Sequence, residues 1–374
     1  MRVYRTAYVI GELGKGGAEY QLHELLRLLD RERYEPRVFA LAAGGYWAEP
    51  IRRLGITVEE FPRGRSADPR RLVSLRRALR AFGPDILHTI MWSGNSYGRL
   101  AALGLGVPVV IAAERNVLRL PVWKVGVERA LDLMTDGYLV NSEAIAIELT
   151  QHGGLPRNKI TVIENGIDLT AMPAFELDRQ AARTAAGLDP ARRVVAQVGR
   201  LTAQKDYPTF LQAAAAIAPD YPDVDFLVVG TGELRAELEA LSSRLGLGDR
   251  VRFTGLRHDV KAMLGGVDVL ALTSRFEGLP NVVLEAMAAG AVVVATDVGG
   301  CREVIVPDVT GLLVPAGEPA VVTSAVRRVL DDPAWARSAA IAARRRIEER
   351  FSVETMATRT TGAYAALLAG RFGS

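Results

Sequence analysis

A ten-residue run in the second half of the chain, Phe276-Glu277-Gly278-Leu279-Pro280-Asn281-Val282-Val283-Leu284-Glu285, combines two carboxylates, a tight turn and the opening of a helix. Gly278 and Pro280 shape the turn. The free N–H groups at the helix start offer a ready anion site, suited to a diphosphate. Glu277 on the loop can accept hydrogen bonds from sugar hydroxyls, and Glu285, about one turn into the helix, can reach a ribose diol. Read plainly, the same run is a solvent-facing turn whose acids favour the helix start.

A second run, Val198-Gly199-Arg200-Leu201-Thr202-Ala203-Gln204-Lys205-Asp206, leaves a strand at Gly199 and leads into the helix expected over Pro208–Ile217. Arg200 offers a planar fork for phosphate oxygens and Lys205 a mobile point charge. Two cations facing a diphosphate stabilise it as a leaving group without a metal. The plain reading is a pair of surface cations. A third run, Gly14-Lys15-Gly16-Gly17-Ala18-Glu19, follows the first strand and lets backbone approach phosphate or sugar closely. Gly11, Gly14 and Gly16 give G-x-x-G-x-G rather than G-x-G-x-x-G, which argues against a dinucleotide-dependent oxidoreductase.

These loops need elements to position them. Strand patterns fall at Arg5–Ile10, Arg37–Leu41, Thr57–Phe61, Ile86–His88, Val109–Ala112, Gly137–Val140 and Ile160–Ile163. A second series falls at Val194–Val198, Phe226–Val229, Val251–Phe253, Val269–Leu272, Val292–Ala295 and Gly311–Val314. Helical stripes separate them, such as Leu22, Leu25, Leu26 and Leu29 within Ala18–Leu29. Alternation of this kind builds parallel sheets covered on both faces, which bind ligands at the carboxyl ends of their strands. Asp332 and Ser352 read as helix caps.

The 374 residues suffice for two domains, and 49% hydrophobic with 24% charged is ordinary globular composition. A net charge of +3 makes no demand for nucleic acid. A lone cysteine, Cys301, admits no intrachain disulfide and fits a reducing compartment. No apolar run reaches membrane-spanning length, so the expected location is cytoplasmic, at most resting on the inner face of a membrane.

Together the motifs resemble glycosyltransferase family 4. The matching residues are Gly16-Gly17-Ala18-Glu19, Asn165-Gly166-Ile167-Asp168, Gly199-Arg200-Leu201 with Lys205, Gly230-Thr231-Gly232, Gly255, and Glu277 with Glu285, followed by Ala286-Met287-Ala288-Ala289-Gly290. They recur in the family's order along essentially the whole chain. The resemblance implies the GT-B fold: two Rossmann-like doubly wound α/β domains facing each other across a crevice. It implies a retaining transferase with a nucleotide-diphosphate sugar donor, a UDP-sugar being favoured, and no cofactor or required metal. Arg200 and Lys205 would grip the diphosphate, Glu285 the ribose, and Glu277 with Gly278–Asn281 the sugar and phosphates. Gly16 and Gly17 would lie close by, with Arg257 and His258 beside the base. The family often carries a histidine where this chain reads Ala113-Glu114-Arg115-Asn116, so Glu114, Arg115 or Asn116 is assigned to the acceptor side. Glu164 replaces the usual proline before Asn-Gly.

The expected domains are residues 1–170 on the acceptor side, a connection at 171–192, a nucleotide-sugar domain at 193–350, and a helix at 351–374 crossing back to the first. The expected chemistry is domain closure on the donor, departure of the diphosphate, and same-face attack by an acceptor hydroxyl. That acceptor is a saccharide or lipid-linked species in glycan, polysaccharide or glycolipid synthesis. A nucleotide-sugar epimerase, a phosphorylase or a non-catalytic nucleotide-sugar-binding protein is the alternative.

Three weaker signals have plain readings. Asp223-Val224-Asp225 is a literal D-x-D, read as a turn before the strand at Phe226. The four histidines, His23, His88, His152 and His258, lack metal-ligand spacing. His88 closes its strand pattern, which admits an acceptor contact beside a structural role. Arg63 to Arg80 holds seven arginines against Asp68. Leu72, Leu75, Leu79 and Phe82 form a stripe opposite Arg70, Arg71, Arg76, Arg77 and Arg80. It reads either as a helix with a charged outer side or as a basic face laid on anionic lipid.

Overall fold

The computed structural model describes residues 2–62, 69–116, 121–173 and 179–372. The chain forms two compact units, Met1–Gly166 with Val353–Ser374, and Ile167–Ser352. In the first unit the strands are β1 (Tyr4–Ile10), β2 (Tyr34–Ala40), β3 (Thr57–Glu60), β4 (Ile86–Ile90), β5 (Val109–Glu114), β6 (Gly137–Val140) and β7 (Ile160–Val162). They pair in parallel in the order β3-β2-β1-β4-β5-β6-β7. In the second the strands are β8 (Arg193–Val198), β9 (Val224–Val229), β10 (Val251–Gly255), β11 (Val269–Leu272), β12 (Val292–Thr296) and β13 (Leu312–Val314), in the parallel order β10-β9-β8-β11-β12-β13. Runs such as Val269–Leu272 are apolar at every position because helices cover both faces of the sheet.

Chain order reverses between β1 and β4 in the first unit and between β8 and β11 in the second. At such a point the outgoing loops diverge and leave a crevice at the strand carboxyl ends. The Gly199–Lys205 loop leaves β8 and the Thr273–Pro280 loop leaves β11, so both second-unit motifs sit at one reversal.

One stretch differs from expectation. The stretch 171–192 belongs, in its described residues, to the second unit. It contains the helix Arg179–Ala185, tied down by Arg183 Nε to the Gly266 carbonyl at 2.9 Å and Arg183 to Asp268 at 2.6 Å. The closing helix Val353–Phe372 belongs to the first unit, where Tyr364 is fully buried against Tyr34 and His88. Among the described residues no helix is long and apolar enough to cross a membrane.

Candidate active site

At the β8–β11 reversal the Lys205 ammonium lies 2.5 Å from Glu277 Oε1, with only 15% and 8% of the two side chains exposed. The backbone that carries Lys205 is fixed from below. Gln197 Nε2 donates to the Lys205 carbonyl at 2.7 Å. Thr273 Oγ1 lies 2.9 Å from Gln197 Oε1, 3.1 Å from the Lys205 carbonyl and 2.9 Å from that of Asp206. Gln204 stitches the two loops together, donating to the Phe276 carbonyl at 2.9 Å and accepting from the Arg275 N–H at 2.8 Å. Gln197, Gln204 and Thr273 were not singled out by motif. The legible signal was a glutamine within the otherwise apolar strand Val194–Val198.

Arg200 stands exposed on the same loop, and no hydrogen-bond or ion-pair partner of its side chain occurs among the described residues. The Lys205–Glu277 pair is neutral as a unit, so Arg200 supplies the uncompensated charge at this edge. The helix Asn281–Ala289 adds to it. Pro280 at its N-cap makes no side-chain cap, and its first turn holds no acid. Its first N–H groups therefore leave partial positive charge at the end nearest Gly278. Leu279 is 4% exposed and Pro280 is buried, so any contact they make with a ligand is through the main chain. Gly278 is buried beneath the loop that follows β12, and its carbonyl accepts from the Gly300 N–H at 2.6 Å. Gly299 lies at φ +52, where a Cβ would stand 1.8 Å from the Glu277 carbonyl oxygen.

Glu285 is half-buried on this helix, and desolvation pushes its carboxyl up to about 7 despite Lys261 nearby. Gly199, at φ +156, passes so close to Lys205 that a Cβ would meet its Cε at 3.1 Å. Arg257 is spent within the unit: its Nε and Nη2 bind Asp259 at 2.9 and 2.5 Å, and Nη2 also donates to the Ala186 carbonyl. That leaves exposed His258 as the more accessible of the two side chains expected beside a base.

In the first unit Gly16 caps the helix Gly17–Leu28, and a Cβ on Gly16 would collide with the Glu19 carboxylate at 2.3 Å. Around the ends of β5 and β6 lies a polar cluster. Arg115 donates to Asn165 Oδ1 at 2.7 Å, and Asn141 Nδ2 reaches the same oxygen at 3.3 Å. Gln21 holds the next residue from both sides, donating to the Gly166 carbonyl at 2.8 Å and accepting from its N–H at 2.9 Å. Burial raises the Glu114 carboxyl to about 7, although the Arg115 and Asn116 N–H groups bind it. Burial lowers Arg115 to about 10, and its Nε finds no partner. Glu114, Arg115 and Asn116 are each partly exposed.

His88 does not join them. β4 runs on to Ile90, so His88 is its central residue, 1% exposed, with Nδ1 2.5 Å from the Tyr364 hydroxyl. Burial, with Arg115 nearby, pushes its pKa down to about 3, and the neutral ring is a structural link to the closing helix. The D-x-D reading also shifts, because β9 begins at Val224 and takes Asp225 into the strand. Arg193 engages Asp223 at 2.7 Å and Arg192 engages Asp225 at 2.6 Å. Among the described residues no three His, Cys, Asp or Glu side chains gather as a metal set.

Two parallel doubly wound units, with polar motifs at the strand ends of each, define an α/β protein of the GT-B class. A model of the family described as Glycosyltransferase Family 4 matches residues 15–171, and one described as Glycosyl transferases group 1 matches residues 178–347. The alpha-maltose-1-phosphate synthase of Mycolicibacterium smegmatis is 31% identical over 93% of this chain and 95% of its own length. The D-inositol 3-phosphate glycosyltransferase of Mycolicibacterium gilvum is 34% identical over 63% of this chain, which spans about half of that relative, 56%. The crystal structure of Anabaena HepE in complex with UDP superimposes with a TM-score of 0.85 at 23% identity, covering 97% of this chain and 100% of that one. The chain belongs to glycosyltransferase family 4.

Proposed function

We propose that this protein is a retaining, metal-independent glycosyltransferase that transfers a sugar from a nucleotide-diphosphate donor, UDP-sugar being favoured, to a hydroxyl acceptor in glycan, polysaccharide or glycolipid synthesis. The observation that carries the reading is the grouping at the β8–β11 reversal. An oriented Lys205, an exposed Arg200 and an acid-free helix start lie on adjoining loops. Such a grouping suits two phosphates that gain charge as the glycosidic bond breaks. UDP in the HepE structure, which shares this fold, supports the choice of base.

In this reading the bond from the anomeric carbon to the diphosphate breaks while Arg200, Lys205 and the N–H groups near Asn281 stabilise the departing oxygens. Gly199, Gly278, Leu279 and Pro280 supply main-chain surface, Glu277 meets sugar hydroxyls, and Glu285 accepts from the ribose diol. The acceptor oxygen bonds to the anomeric carbon on the face the diphosphate leaves, and its proton passes to a diphosphate oxygen. The charge of Arg200, the partial charge of the helix start and hydrogen bonds from Lys205 make a divalent ion dispensable. Glu114, Arg115 and Asn116 form the acceptor-binding cluster of the first unit.

The test is turnover of a panel of UDP- and GDP-sugars by wild type, Arg200→Ala and Lys205→Ala. Each substitution lowers turnover by about 100-fold or more, the scale of losing one electrostatic stabiliser. Near-wild-type rates in both variants would overturn the reading.

A further inference from the structure

Three helices, Pro69–Phe82, Met91–Ala102 and Val122–Asp132, lie side by side on one face of the first unit's sheet. The inner sides of the first two supply Leu75, Leu79, Phe82, Ala101 and Ala102 to a core with β1, β2 and β4. Their outer sides are unusual in two ways. Val122, Trp123 and Leu133 stand 90%, 64% and 92% exposed, with Leu100 and Leu103 also open to solvent. An apolar set of this size on one face marks an interaction surface.

On these three helices the freely exposed charge has one sign. The first two helices contain no Asp or Glu at all. In the third, Glu128 is buried against Arg99 at 2.6 Å, and Asp132 binds Lys159 at 3.0 Å. The bases divide differently from the sequence expectation. Arg71 is buried, with its guanidinium 4.0 Å from the Tyr97 ring centroid, and Arg76 Nη1 donates to the Ala101 carbonyl at 3.0 Å. Arg77 and Arg80 remain exposed on the outer side. The Lys124 ammonium sits 4.7 Å from the Trp92 ring centroid and 5.6 Å from that of Trp123, placing a cation among the aromatic rings. The opposite helical layer, built from Gly17–Leu28, Ala48–Arg53 and Val353–Phe372, is mixed in sign: exposed Glu49 and Glu354 stand among exposed Arg27, Arg52, Arg53 and Arg359.

We propose that this three-helix face docks on a bilayer surface rich in anionic lipid. Val122, Trp123 and Leu133 enter the headgroup boundary, where indole rings settle. Arg77, Arg80 and Lys124 meet the lipid phosphates. Charge complementarity selects this occupant, because a zwitterionic surface leaves the acid-free arginine layer without counter-ions. Residues 63–68, part of the basic run expected to make such a contact, lie outside the described residues.

The test is co-sedimentation of the full chain with vesicles of phosphatidylcholine alone or mixed with phosphatidylglycerol, at low and high salt. Binding is expected only to the mixed vesicles and to weaken as salt rises. Arg77→Ala with Arg80→Ala lowers partitioning by about 25-fold, from about fivefold per arginine. Brominated acyl chains quench tryptophan emission in the wild type and much less in Trp123→Phe. All three positions are exposed, and an unchanged melting temperature shows that the variants fold. Failure to bind mixed vesicles, equal binding to both kinds, or binding indifferent to the arginine pair would overturn the proposal.

Discussion

Lys205 and Glu277, 72 residues apart, meet at 2.5 Å across the loops that leave β8 and β11. Both side chains are nearly buried, so removing one partner strands a charge, which costs about 3 kcal/mol. Glu277→Ala is therefore expected to lower the melting temperature and abolish measurable turnover. Glu277→Gln keeps the shape and a hydrogen-bond acceptor, so it stays folded while turnover falls about 100-fold. Calorimetric melting beside steady-state rates separates the two. Equal melting temperatures for Glu277→Ala and wild type would remove the structural half of this account.

Glu285 gives the site a pH dependence near neutrality. Its folded pKa, raised to about 7 by burial, exceeds its ordinary value, so the folded state holds a proton that the unfolded chain loses earlier. Its contribution to stability is thus greatest at low pH and declines as pH rises from about 4.5 to 7. The ionised carboxylate is the better acceptor for ribose hydroxyls. UDP affinity accordingly rises between about pH 6 and 8, and Glu285→Gln flattens the titration. A wild-type affinity independent of pH would exclude Glu285 as the ribose contact.

Gly299 is fixed by space as well as by conformation. A Cβ there would strike the Glu277 carbonyl oxygen at 1.8 Å, and φ +52 disfavours any other residue. Overpacking plus the left-handed penalty sums to about 3 kcal/mol, roughly 6–12 °C of melting temperature for a unit this size. Gly299→Ala is expected to show that loss together with weakened UDP binding. Gly317→Ala, where an added Cβ meets nothing within 4 Å, controls for the backbone penalty alone.

His88 predicts acid sensitivity in the first unit. Its folded pKa is lowered to about 3, so below its ordinary value near 6.5 the unfolded chain takes up a proton that the folded chain refuses. Stability present above about pH 6.5 is lost as pH falls, at up to about 1.4 kcal/mol per pH unit. His88→Gln is less stable at pH 7, where it disturbs the contact with Tyr364, yet shows a shallower decline toward pH 4. Melting curves across that range provide the check.

The strands were legible because buried parallel strands are apolar at every position, as in Val194–Ala196 and Val269–Leu272. Their ends were not. β4 passes His88 because burial tolerates a neutral ring, and β9 takes in Asp225 because Arg192 neutralises it. The helix Arg179–Ala185 hid between a proline and a glycine, its arginines directed inward to Asp268 and to main-chain carbonyls. At the site, Arg200, Lys205, Glu277 and Glu285 were readable as residue types at a known spacing. The direct ion pair and the Gln197–Thr273 support beneath it were not, since they depend on which loops topology brings together. Arg71 shows the same limit: a helical wheel turns it outward, whereas its long stem carries it in to Tyr97.

The most direct test is calorimetric titration of UDP, GDP and ADP into the full chain with a chelator present, repeated with Arg200→Ala and Lys205→Ala. One nucleoside diphosphate, UDP by preference, is expected to bind without any divalent ion, and each substitution to weaken it at least tenfold. Failure of all three to bind, binding that requires magnesium, or affinities untouched by both substitutions would contradict the proposed function.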